Sequence, residues 1–367
     1  MSDRLEVSVK NGKNYEIVIE RNFELLKEEI EKLEITGKKI CIITDSIVEP
    51  LYLDEVKNAL GKLDKSVFTF KFKSGEESKT LDIVQQIYEF LIENKFERKD
   101  LLVALGGGVV GDMTGFVAAT FLRGLDFIQI PTTLLSMVDS SIGGKTGVDF
   151  KGYKNMVGAF KMPRLVYMNI HTLTTLDERQ FYAGFAEAMK SALIRVVHYY
   201  EWQIENLYEI CDKELDVLEE LVLGSLKVKK FIVEKDPYEQ GERALLNLGH
   251  TIGHAIEKYK NFNMLHGECV ALGCVAAAYI SYQKNMLSME EYYEIRDMFV
   301  PFNLPISIED MDIETVLSYT KADKKMDNNQ IKFVLLKKIG KAVIDNSVTD
   351  DEVRAALKEI LYTDEME

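Results

Sequence analysis

Three histidines that could hold a metal ion together lie in one short stretch of the chain. The sequence has five histidines in 367 residues, and three of them are His250, His254 and His266. On a helix, His250 and His254 would share one face because they are four residues apart, and His266 follows after a short loop. Imidazole nitrogen binds zinc and similar cations well. The spacing therefore predicts a metal site, although two histidines on a solvated helix face would look the same.

The residues around these histidines indicate that the stretch is buried. Residues 245–256 are mostly apolar or small apart from the histidines themselves. A buried pair of imidazoles needs polar partners, and a cation is an efficient one. This composition favours the metal site over the solvated face.

Charged residues also occur in segments that otherwise predict buried helices. Glu187 and Lys190 lie three residues apart in the apolar segment 181–197, and Lys229 lies on the apolar stripe of residues 215–233. Buried charges need a partner or a ligand. The sequence leaves three interpretations open: Glu187 pairs with Lys190, Glu187 contributes a carboxylate to the histidine site, and Lys229 extends its ammonium to solvent. Arg243 and Asn247 would share a face with His250 if that helix began early enough.

The first half of the chain carries a glycine-rich turn between a strand and a helix. Residues 101–105 predict a buried strand, GGGVVGD follows at 106–112, and a helix is predicted over 113–120. Glycines let the backbone approach a pyrophosphate, and a helix N-terminus favours its charge. No acidic residue stands clearly at the end of the next strand, so the Rossmann fingerprint is incomplete. We therefore expect a nucleotide site of another α/β lineage, with the strand-end hydroxyls Thr132 and Thr133 nearby.

Two further segments could contact an anion. Residues 136–160 combine Asp139, Lys145, Lys154 and Asn155 with several glycines, and glycine-rich loops with spaced lysines can bind phosphate. A surface loop with solvated lysines is the alternative. The turn at 74–79 precedes a predicted helix over 81–94, and it is either a ligand-binding turn or an ordinary helix cap.

The elements that must position these residues form two different patterns. Residues 5–9 and 15–20 predict a β-hairpin, and helix 22–33, strand 39–45, helix 52–63 and strand 66–72 follow. Alternating strands and helices predict a parallel sheet with helices on both faces. After strand 165–169 the chain is almost entirely helical, with a short strand pair near 332–336 and 342–345. We expect an α/β domain over 1–172 and a helical domain over 173–367.

Composition excludes several classes of partner. The net charge of −15 argues against nucleic acid or an anionic membrane as a partner. The start of the chain lacks the apolar run of a secretory signal, and the longest uncharged run, 269–283, is too short to span a bilayer. Cys41, Cys211, Cys269 and Cys274 form no CxxC pair and are expected to be buried, reduced thiols. These features predict a cytoplasmic protein.

Several motifs together resemble 3-dehydroquinate synthases, members of the sugar-phosphate cyclase superfamily. They are GGGVVGD, RG-x3-IQIPTTLLSMVDSSIGGKTGVD, KN-x-VGAF-x2-P, AGFAEAMK, RALLNLGHTIGHAIE, HGE-x-V and DKK. The resemblance runs from about residue 74 to the C-terminus. The family has a Leu-Pro-x-Arg-Glu turn where this chain has Asp177 and Gln180, and residues 1–60 carry little family signature.

The resemblance implies a fold, a reaction and two cofactors. It implies a Rossmann-like NAD-binding α/β domain, a helical metal-binding domain, a cleft between them and a homodimer. The reaction would convert the sugar phosphate 3-deoxy-D-arabino-heptulosonate 7-phosphate to 3-dehydroquinate and phosphate in the shikimate pathway of aromatic amino acid biosynthesis. NAD would be used and regenerated, together with one divalent metal, zinc or alternatively cobalt. The alternatives are another NAD- and metal-dependent cyclase such as a 2-deoxy-scyllo-inosose synthase, a metal-dependent alcohol dehydrogenase, and a non-catalytic relative.

The resemblance also assigns residues, position by position. Glu187, His250 and His266 would bind the metal. The substrate would be bound by Asp139, Lys145, Lys154, Asn155, Lys190, Lys229, Arg243, Asn247, His254, one of Lys324 and Lys325, and Arg123 from the other subunit. NAD would be bound by Asp45, Ser74, Gly75, Glu76, Glu77, Ser78, Lys79, Gly107, Gly108, Val109, Val110, Gly111, Asp112, Thr132, Thr133, Lys145, Lys154, Thr172, Leu173, Thr174 and Thr175.

Overall fold

The chain divides into two compact units, Met1–Leu176 and Asp177–Glu367. The structure is a computed structural model that describes residues 3–9, 13–321 and 332–362. The division falls a few residues after the domain boundary predicted between residues 172 and 173.

The first unit is built on a seven-stranded sheet with the strand order β1-β2-β9-β6-β5-β3-β4. Only the outer pair β1–β2 is antiparallel, and the other pairs are parallel. The strands are β1 (Asp3–Val7), β2 (Tyr15–Glu20), β3 (Lys39–Asp45), β4 (Ser66–Phe72), β5 (Leu101–Gly106), β6 (Asp126–Pro131) and β9 (Leu165–Asn169). The predicted N-terminal hairpin and parallel sheet are confirmed.

Helices cover both faces of this sheet, because successive side chains of its strands point to opposite faces. Ile40 and Ile42 of β3 pack into one buried cluster with helices α1 (Leu26–Glu31) and α2 (Glu49–Leu60). Cys41 and Ile43 pack into the other cluster with α3 (Leu81–Glu93) and α4 (Gly108–Thr120). The continuous apolar run of β3 is therefore explained by burial on both faces.

Two helices of this unit have different bounds from those predicted. The helix predicted over 22–33 is shorter, because the Asn22 side chain accepts the N–H of Glu24 and holds a turn before α1. The helix predicted to begin at residue 113 begins at Gly108, directly after the extended Gly107.

The glycine-rich segment 136–160 is not a loop. It forms a π-helical turn, Ser136–Ser140, and an antiparallel hairpin of β7 (Lys145–Phe150) and β8 (Tyr153–Phe160). The hairpin reverses at Lys151 and Gly152, whose φ angles of 50° and 79° are both positive. A two-residue turn of this kind matches the twist of the strands that it joins.

The second unit is helical, and its described residues include one short pair of strands, as predicted. Its helices are α5 (Glu178–Arg195), α6 (Val197–Glu205), α7 (Leu207–Cys211), α8 (Leu215–Lys235), α9 (His250–Tyr259), α10 (His266–Gln283), α11 (Met289–Asp297), α12 (Ile313–Thr320) and α13 (Asp350–Glu359). The strand pair consists of β10 (Phe333–Lys338) and β11 (Lys341–Asp345).

Local backbone structure explains where two of these helices begin. Asp177 accepts the N–H of Gln180 and caps α5, so the departure from the family turn keeps a helix start at this place. Arg243 and Asn247 lie in a separate 3₁₀-helix, Glu242–Asn247, and Gly249 has a φ of 77°. The helix of His250 therefore does not extend back to Arg243.

The four cysteines were predicted to be buried, reduced thiols. All four are free; Cys41, Cys269 and Cys274 are buried, but Cys211 is partly exposed, contrary to the prediction.

Within the described residues, no helix combines the length and the apolar character that crossing a membrane requires.

Candidate active site

Three helices of the second unit bring a carboxylate and three imidazoles together. Glu187 lies in the middle of α5, His250 and His254 lie on one face of α9, and His266 is the first residue of α10. The ring centroids of His250 and His266 are 5.3 Å apart. The predicted clustering of the histidines is therefore present in the structure.

Glycines allow these helices to approach closely enough. A Cβ atom at Gly267 would lie 1.8 Å from the carbonyl oxygen of Ala183 on α5. A Cβ atom at Gly249 would lie 2.7 Å from the backbone nitrogen of Cys274 on α10. Any side chain at either position would separate the helices, so both glycines hold the site residues in place.

The two histidines nearest Glu187 present the same ring nitrogen to it. Nε2 of His250 is 3.6 Å and Nε2 of His266 is 3.5 Å from Oε1 of Glu187. His250 Nδ1 lies 3.1 Å from the carbonyl oxygen of Leu248. A carbonyl can only accept, so Nδ1 carries the hydrogen and Nε2 of the neutral ring bears a lone pair. A lone pair directed at a carboxylate is favourable only when a cation lies between them.

A divalent cation fits this arrangement. Ligand atoms at about 2.0–2.2 Å from a tetrahedral metal lie roughly 3.3–3.6 Å from one another, and both Nε2–Oε1 distances, 3.5 and 3.6 Å, fall in that range. Glu187 is only 1% exposed; its carboxylate pairs with the ammonium of Lys190, but within the described residues neither oxygen accepts a hydrogen bond of good geometry. A buried carboxylate in this state has the capacity to bind a metal ion.

His254 offers an alternative third ligand. The ligand nitrogens of His250, His254 and His266 lie within 4.8 Å of one another. The distances from Glu187 to both Nε2 atoms are those of a tetrahedral site, and His254 is exposed while Glu187 is buried. This geometry favours Glu187 as the third ligand and leaves the His254 ring beside the cluster.

Burial and neighbouring charges shift the pKa values of Glu187 and of both histidines that face it. Burial alone would raise the pKa of Glu187, but the charge of Lys190 and the two histidines outweigh it and hold the pKa well below its usual value. Burial and the charge of Lys190 lower the pKa of His250. Burial would also lower the pKa of His266, but the carboxylates of Glu187 and Glu257 outweigh it and raise the pKa to about 9. A bound metal would have to displace the proton of His266.

Three buried cations of the second unit lie on α5 or on elements that pack against it. The ammonium of Lys190 forms an ion pair with Glu187, so the pairing left open by the sequence exists together with the approach of the histidines. Lys229 on α8 is 5% exposed and Arg243 is 2% exposed, which rules out a solvated position for either. Asn247 donates to Glu239 at 2.9 Å.

In the first unit, the predicted nucleotide residues lie where the strand order reverses. From β3 the chain crosses by α2 to β4, and from β5 it crosses by α4 to β6 on the other side. The carboxyl ends of two such strands enclose a crevice where α/β sheets bind ligands. Asp45 ends β3, and Gly107 follows β5 and precedes the N-terminus of α4.

The crevice has features that fit a dinucleotide. A Cβ atom at Gly107 would lie 3.1 Å from the Thr133 side chain, and one at Gly108 would lie 3.1 Å from Oγ of Ser140. Glycine therefore keeps this approach to the helix N-terminus open. The hydroxyl of Thr132 is buried and has no hydrogen-bond partner among the residues that the structure describes, so it is available to a ligand.

A lysine network joins several of the other predicted residues. The ammonium of Lys79 donates to Asp112 at 2.7 Å and to Asn155 at 2.6 Å. Lys154 lies 3.3 Å from Glu76. Burial would lower the pKa of Lys79, but the negative charges of Asp112 and Glu76 outweigh it and raise the pKa. The turn at 74–79, the start of α4 and the β7–β8 hairpin are thus held together by charge.

The remaining predicted nucleotide residues make local contacts. Ser74 accepts from and donates to Ser46. The 3₁₀-helix Ile170–Thr175 contains Thr172, Leu173, Thr174 and Thr175, and the Tyr52 hydroxyl bonds to the hydroxyl of Thr175. Thr133 bonds to Ser136 at 2.9 Å.

Some predicted residues are not brought to these groups. Lys145 is exposed at the start of β7. Arg123 is exposed before β6, near the amino ends of the strands, where it lines a cavity of about 310 Å³ with Arg98, Lys161 and Arg164. The crevice at Gly107 lies at the opposite, carboxyl ends. Lys324 and Lys325 lie outside the described residues.

Two carboxylates that contact predicted residues, Glu257 and Asp149, were not singled out from the sequence. Glu257 lies seven residues after His250, on the same face of α9, and its Oε2 is 3.8 Å from Nδ1 of His266. The spacing of seven was a usable signal. Asp149 accepts the N–H of Asn155 at 2.8 Å, which required knowledge of the hairpin.

Comparison with known proteins gives this arrangement a family. Models of the 3-dehydroquinate synthase N-terminal and C-terminal domains match residues 69–183 and 184–326. The 3-dehydroquinate synthase of Acetivibrio thermocellus is 41% identical over 350 residues, which are 95% of this chain and 97% of that protein.

Two solved structures share the fold. A crystal structure of 2-deoxy-scyllo-inosose synthase complexed with carbaglucose-6-phosphate, NAD+ and Co2+ has a TM-score of 0.86 and 26% identity, covering 98% of this chain and 100% of that one. The 2-epi-5-epi-valiolone synthase of Streptomyces hygroscopicus subsp. jinggangensis 5008, with NAD+ and Zn2+ bound, has a TM-score of 0.86 and 24% identity, covering 96% and 98%. On the family models and the 41% identity to a full-length relative, this chain belongs to the 3-dehydroquinate synthase family.

Proposed function

We propose that this protein is a 3-dehydroquinate synthase that uses NAD and one divalent metal ion. It would convert 3-deoxy-D-arabino-heptulosonate 7-phosphate to 3-dehydroquinate and phosphate, a carbon–oxygen lyase reaction. The observation that carries the proposal is the buried carboxylate of Glu187 facing Nε2 of His250 and of His266, with the ammonium of Lys190 against it.

The metal would be held by Glu187, His250 and His266. Zinc and cobalt suit a site of two imidazoles and one carboxylate, and the related inosose synthase structure contains Co2+. When bound, the metal would polarise a substrate hydroxyl, and NAD would take up and later return a hydride. His254, exposed beside the cluster, would face substrate.

The buried cations would bind the negative charges of the substrate. Lys190, Lys229 and Arg243 are each at most 5% exposed, and a hydrogen bond from a buried cation to phosphate or carboxylate is strong. Arg243 is oriented by a hydrogen bond to the carbonyl of Pro237. These residues would stabilise the charge that develops as phosphate leaves. The alcohol substrate of an alcohol dehydrogenase carries no phosphate, so such an enzyme does not require these buried cations.

NAD would bind at the crevice of the first unit. The N-terminus of α4 at Gly107 and Gly108 would receive the pyrophosphate, and the Thr132 hydroxyl would find a partner there. Lys79 and Asp112 would fix the turn that lies beside it. Asp139, Lys145, Lys154, Asn155 and Asn247 remain proposed substrate residues, as does Arg123 from a partner subunit.

One assay tests this function. The purified protein is given NAD, zinc and 3-deoxy-D-arabino-heptulosonate 7-phosphate, and phosphate release, 3-dehydroquinate and NADH are followed together. We expect phosphate and dehydroquinate in equal amounts while NAD remains oxidised. NADH that accumulated in step with product would contradict the proposal and indicate a dehydrogenase.

The alternative cyclase activity is tested in parallel. The structural likeness to 2-deoxy-scyllo-inosose synthase motivates a second reaction with a hexose 6-phosphate in place of the heptulosonate. Turnover of the hexose phosphate alone would favour the alternative.

We further propose that the protein is a cytoplasmic homodimer; sedimentation in solution at the mass of one chain would contradict the dimer.

A further inference from the structure

The ring of His266 lies between two buried carboxylates. Its Nε2 is 3.5 Å from Oε1 of Glu187, and its Nδ1 is 3.8 Å from Oε2 of Glu257. Glu187 is 1% exposed and Glu257 is 2% exposed. Carboxylates are seldom buried to this extent unless they are paired or bind a cation, so the position of Glu257 requires an explanation that the proposed metal ligands do not provide.

The backbone places Glu257 for this contact. It is on the same face of α9 as His250 and His254, and the close approach of Gly253 to Cys269 brings α9 against the start of α10. His266 is the first residue of α10. Glu257 therefore faces the side of the imidazole that is directed away from Glu187.

His250 shows how a hydrogen-bond acceptor at Nδ1 determines which ring nitrogen is free to bind a metal. The carbonyl oxygen of Leu248, 3.1 Å from Nδ1 of His250, accepts the hydrogen of that nitrogen and leaves Nε2 free. At Nδ1 of His266 the neighbouring group is instead the carboxylate of Glu257. Metal-binding histidines commonly donate their second N–H to a carboxylate or a carbonyl.

We propose that Glu257 is a positioning residue for metal binding, whose carboxylate attracts the Nδ1 hydrogen of His266 at ion-pair distance so that Nε2 is presented to the metal. The inference rests on the proposed function, because it requires a metal at Glu187, His250 and His266. Glu257 acts through His266 and does not contact the metal. Its negative charge also makes the imidazole a stronger ligand.

The first test measures metal affinity in Glu257→Gln and Glu257→Ala. Metal-free protein competes with a chromophoric chelator for Zn2+, and Co2+ is titrated separately to record its visible spectrum. Loss of such a partner lowers metal affinity by about 10–100-fold. We expect that loss in Glu257→Ala and a smaller one in Glu257→Gln, whose amide oxygen can still accept. The Co2+ spectrum should change in both, since the ring is no longer held.

A double-mutant cycle separates positioning from simple structural support. In a His266→Gln background there is no Nδ1 hydrogen to hold, so adding Glu257→Ala should reduce the Zn2+ affinity little further. Losses that multiply in the double variant would overturn the proposal. Glu309→Gln, which removes one exposed negative charge from the same unit, is the matched control and should bind Zn2+ as the wild type does.

The outcomes distinguish the inference from the function on which it rests. If wild-type protein binds one Zn2+ tightly and Glu257→Ala, still folded by circular dichroism, binds it equally well, the role of Glu257 is wrong and the metal site stands. If the wild type binds no Zn2+ or Co2+, both the metal site and the role of Glu257 are wrong. If Glu257→Ala does not fold, the Glu257→Gln affinity and spectrum decide the result.

Discussion

The guanidinium of Arg179 donates two hydrogen bonds to the carboxylate of Glu268, from Nε at 2.6 Å and from Nη2 at 2.9 Å. This pair joins the start of α5 to the start of α10. Glu268 also accepts the N–H of Leu265 at 2.8 Å, which caps the helix whose first residue is His266. The pair therefore fixes the backbone that carries one proposed metal ligand relative to the helix that carries Glu187.

Replacing Arg179 should affect metal binding more than stability. Arg179 is 58% exposed, so Arg179→Ala should lower the free energy of unfolding by about 1 kcal/mol or less. The cap at Leu265 would loosen, and Zn2+ affinity should fall by roughly 10-fold. Arg354→Ala breaks a similar exposed pair with Glu314 and should leave Zn2+ affinity unchanged. Equal affinities in both variants would show that the Arg179 pair is only a surface contact.

Removing His250 should abolish metal binding and turnover together. Its Nε2 is one of the two nitrogens that face Glu187, and two remaining protein ligands hold zinc poorly. We expect His250→Ala to contain no stoichiometric zinc after dialysis, as measured by mass spectrometry of the metal. His198→Ala, at an exposed histidine on α6, is the control. Full occupancy in His250→Ala would remove His250 from the site.

Lys190→Ala should destabilise the metal-free protein much more than the zinc-bound protein. Lys190 is the ion-pair partner of buried Glu187, and removing one partner of a buried pair costs about 3–5 kcal/mol. Metal-free Lys190→Ala should lose that much stability, and saturating Zn2+ should restore most of it because the cation replaces the ammonium. Turnover should stay severely impaired with zinc present, while NAD affinity is retained.

Denaturant titrations with EDTA and with Zn2+ measure this difference, and Lys230→Ala on α8 serves as the control. An equal stability loss under both conditions would show that zinc does not bind beside Glu187. Recovery of full turnover with zinc would show that Lys190 serves only as a structural partner of Glu187.

The metal-free protein should lose stability as the pH rises above neutrality. The folded-state pKa of His266 is raised to about 9 from its usual 6.5, so its contribution is fully present below pH 6.5 and is lost as the pH rises through 9. The folded-state pKa of His250 is lowered, so stability also falls as the pH drops below 6.5. The free energy of unfolding is measured in EDTA from pH 5.5 to 9 for the wild type and for His266→Gln, and the difference between the two isolates the first effect. A difference that did not change over this range would contradict it.

Lys79 should control NAD binding through the turn at 74–79. It is 4% exposed and donates to both Asp112 and Asn155. Hydrogen bonds of this charged kind are worth about 1.5–3 kcal/mol, so Lys79→Met should weaken NAD binding by roughly 10-fold or more. Lys73→Met, at an exposed lysine directly before this turn, is the matched control. Fluorescence titration with NAD measures both, and unchanged affinity in Lys79→Met would separate this network from the nucleotide site.

The parts of the fold that follow from local pattern were predictable. Strands β3 and β4 were predicted at their observed ends, because β3 is a short apolar run and β4 alternates apolar with polar residues, and neither pattern has many alternatives. The β7–β8 hairpin was missed, since Gly143, Gly144 and Gly147 suggested a loop and the turn signal at Lys151 and Gly152 was not recognised. Positive φ angles at that turn are a property of the folded backbone, and only the Lys-Gly pair hints at them.

The candidate site was predictable as a set of residues but not as a set of contacts. His250 and His254 are neighbours by helical spacing alone, and the apolar surroundings of Glu187 indicated burial. The pairing of Arg179 with Glu268, and of Glu257 with His266, depends on how three helices pack against one another. No local pattern encodes the close approach of Gly267 to Ala183 that sets this packing.

The steric limit at Gly267 also determines when the ligand set can exist during folding. Glu187 and His266 are far apart in the sequence, and they meet only after α10 has docked on α5 with the backbone of Gly267 against Ala183. Isolated helices could each form early, but none of them contains the whole set. Metal binding during refolding therefore requires that this packing is complete. The rate at which the absorbance of bound Co2+ appears in a stopped-flow experiment would report the rate at which these helices dock.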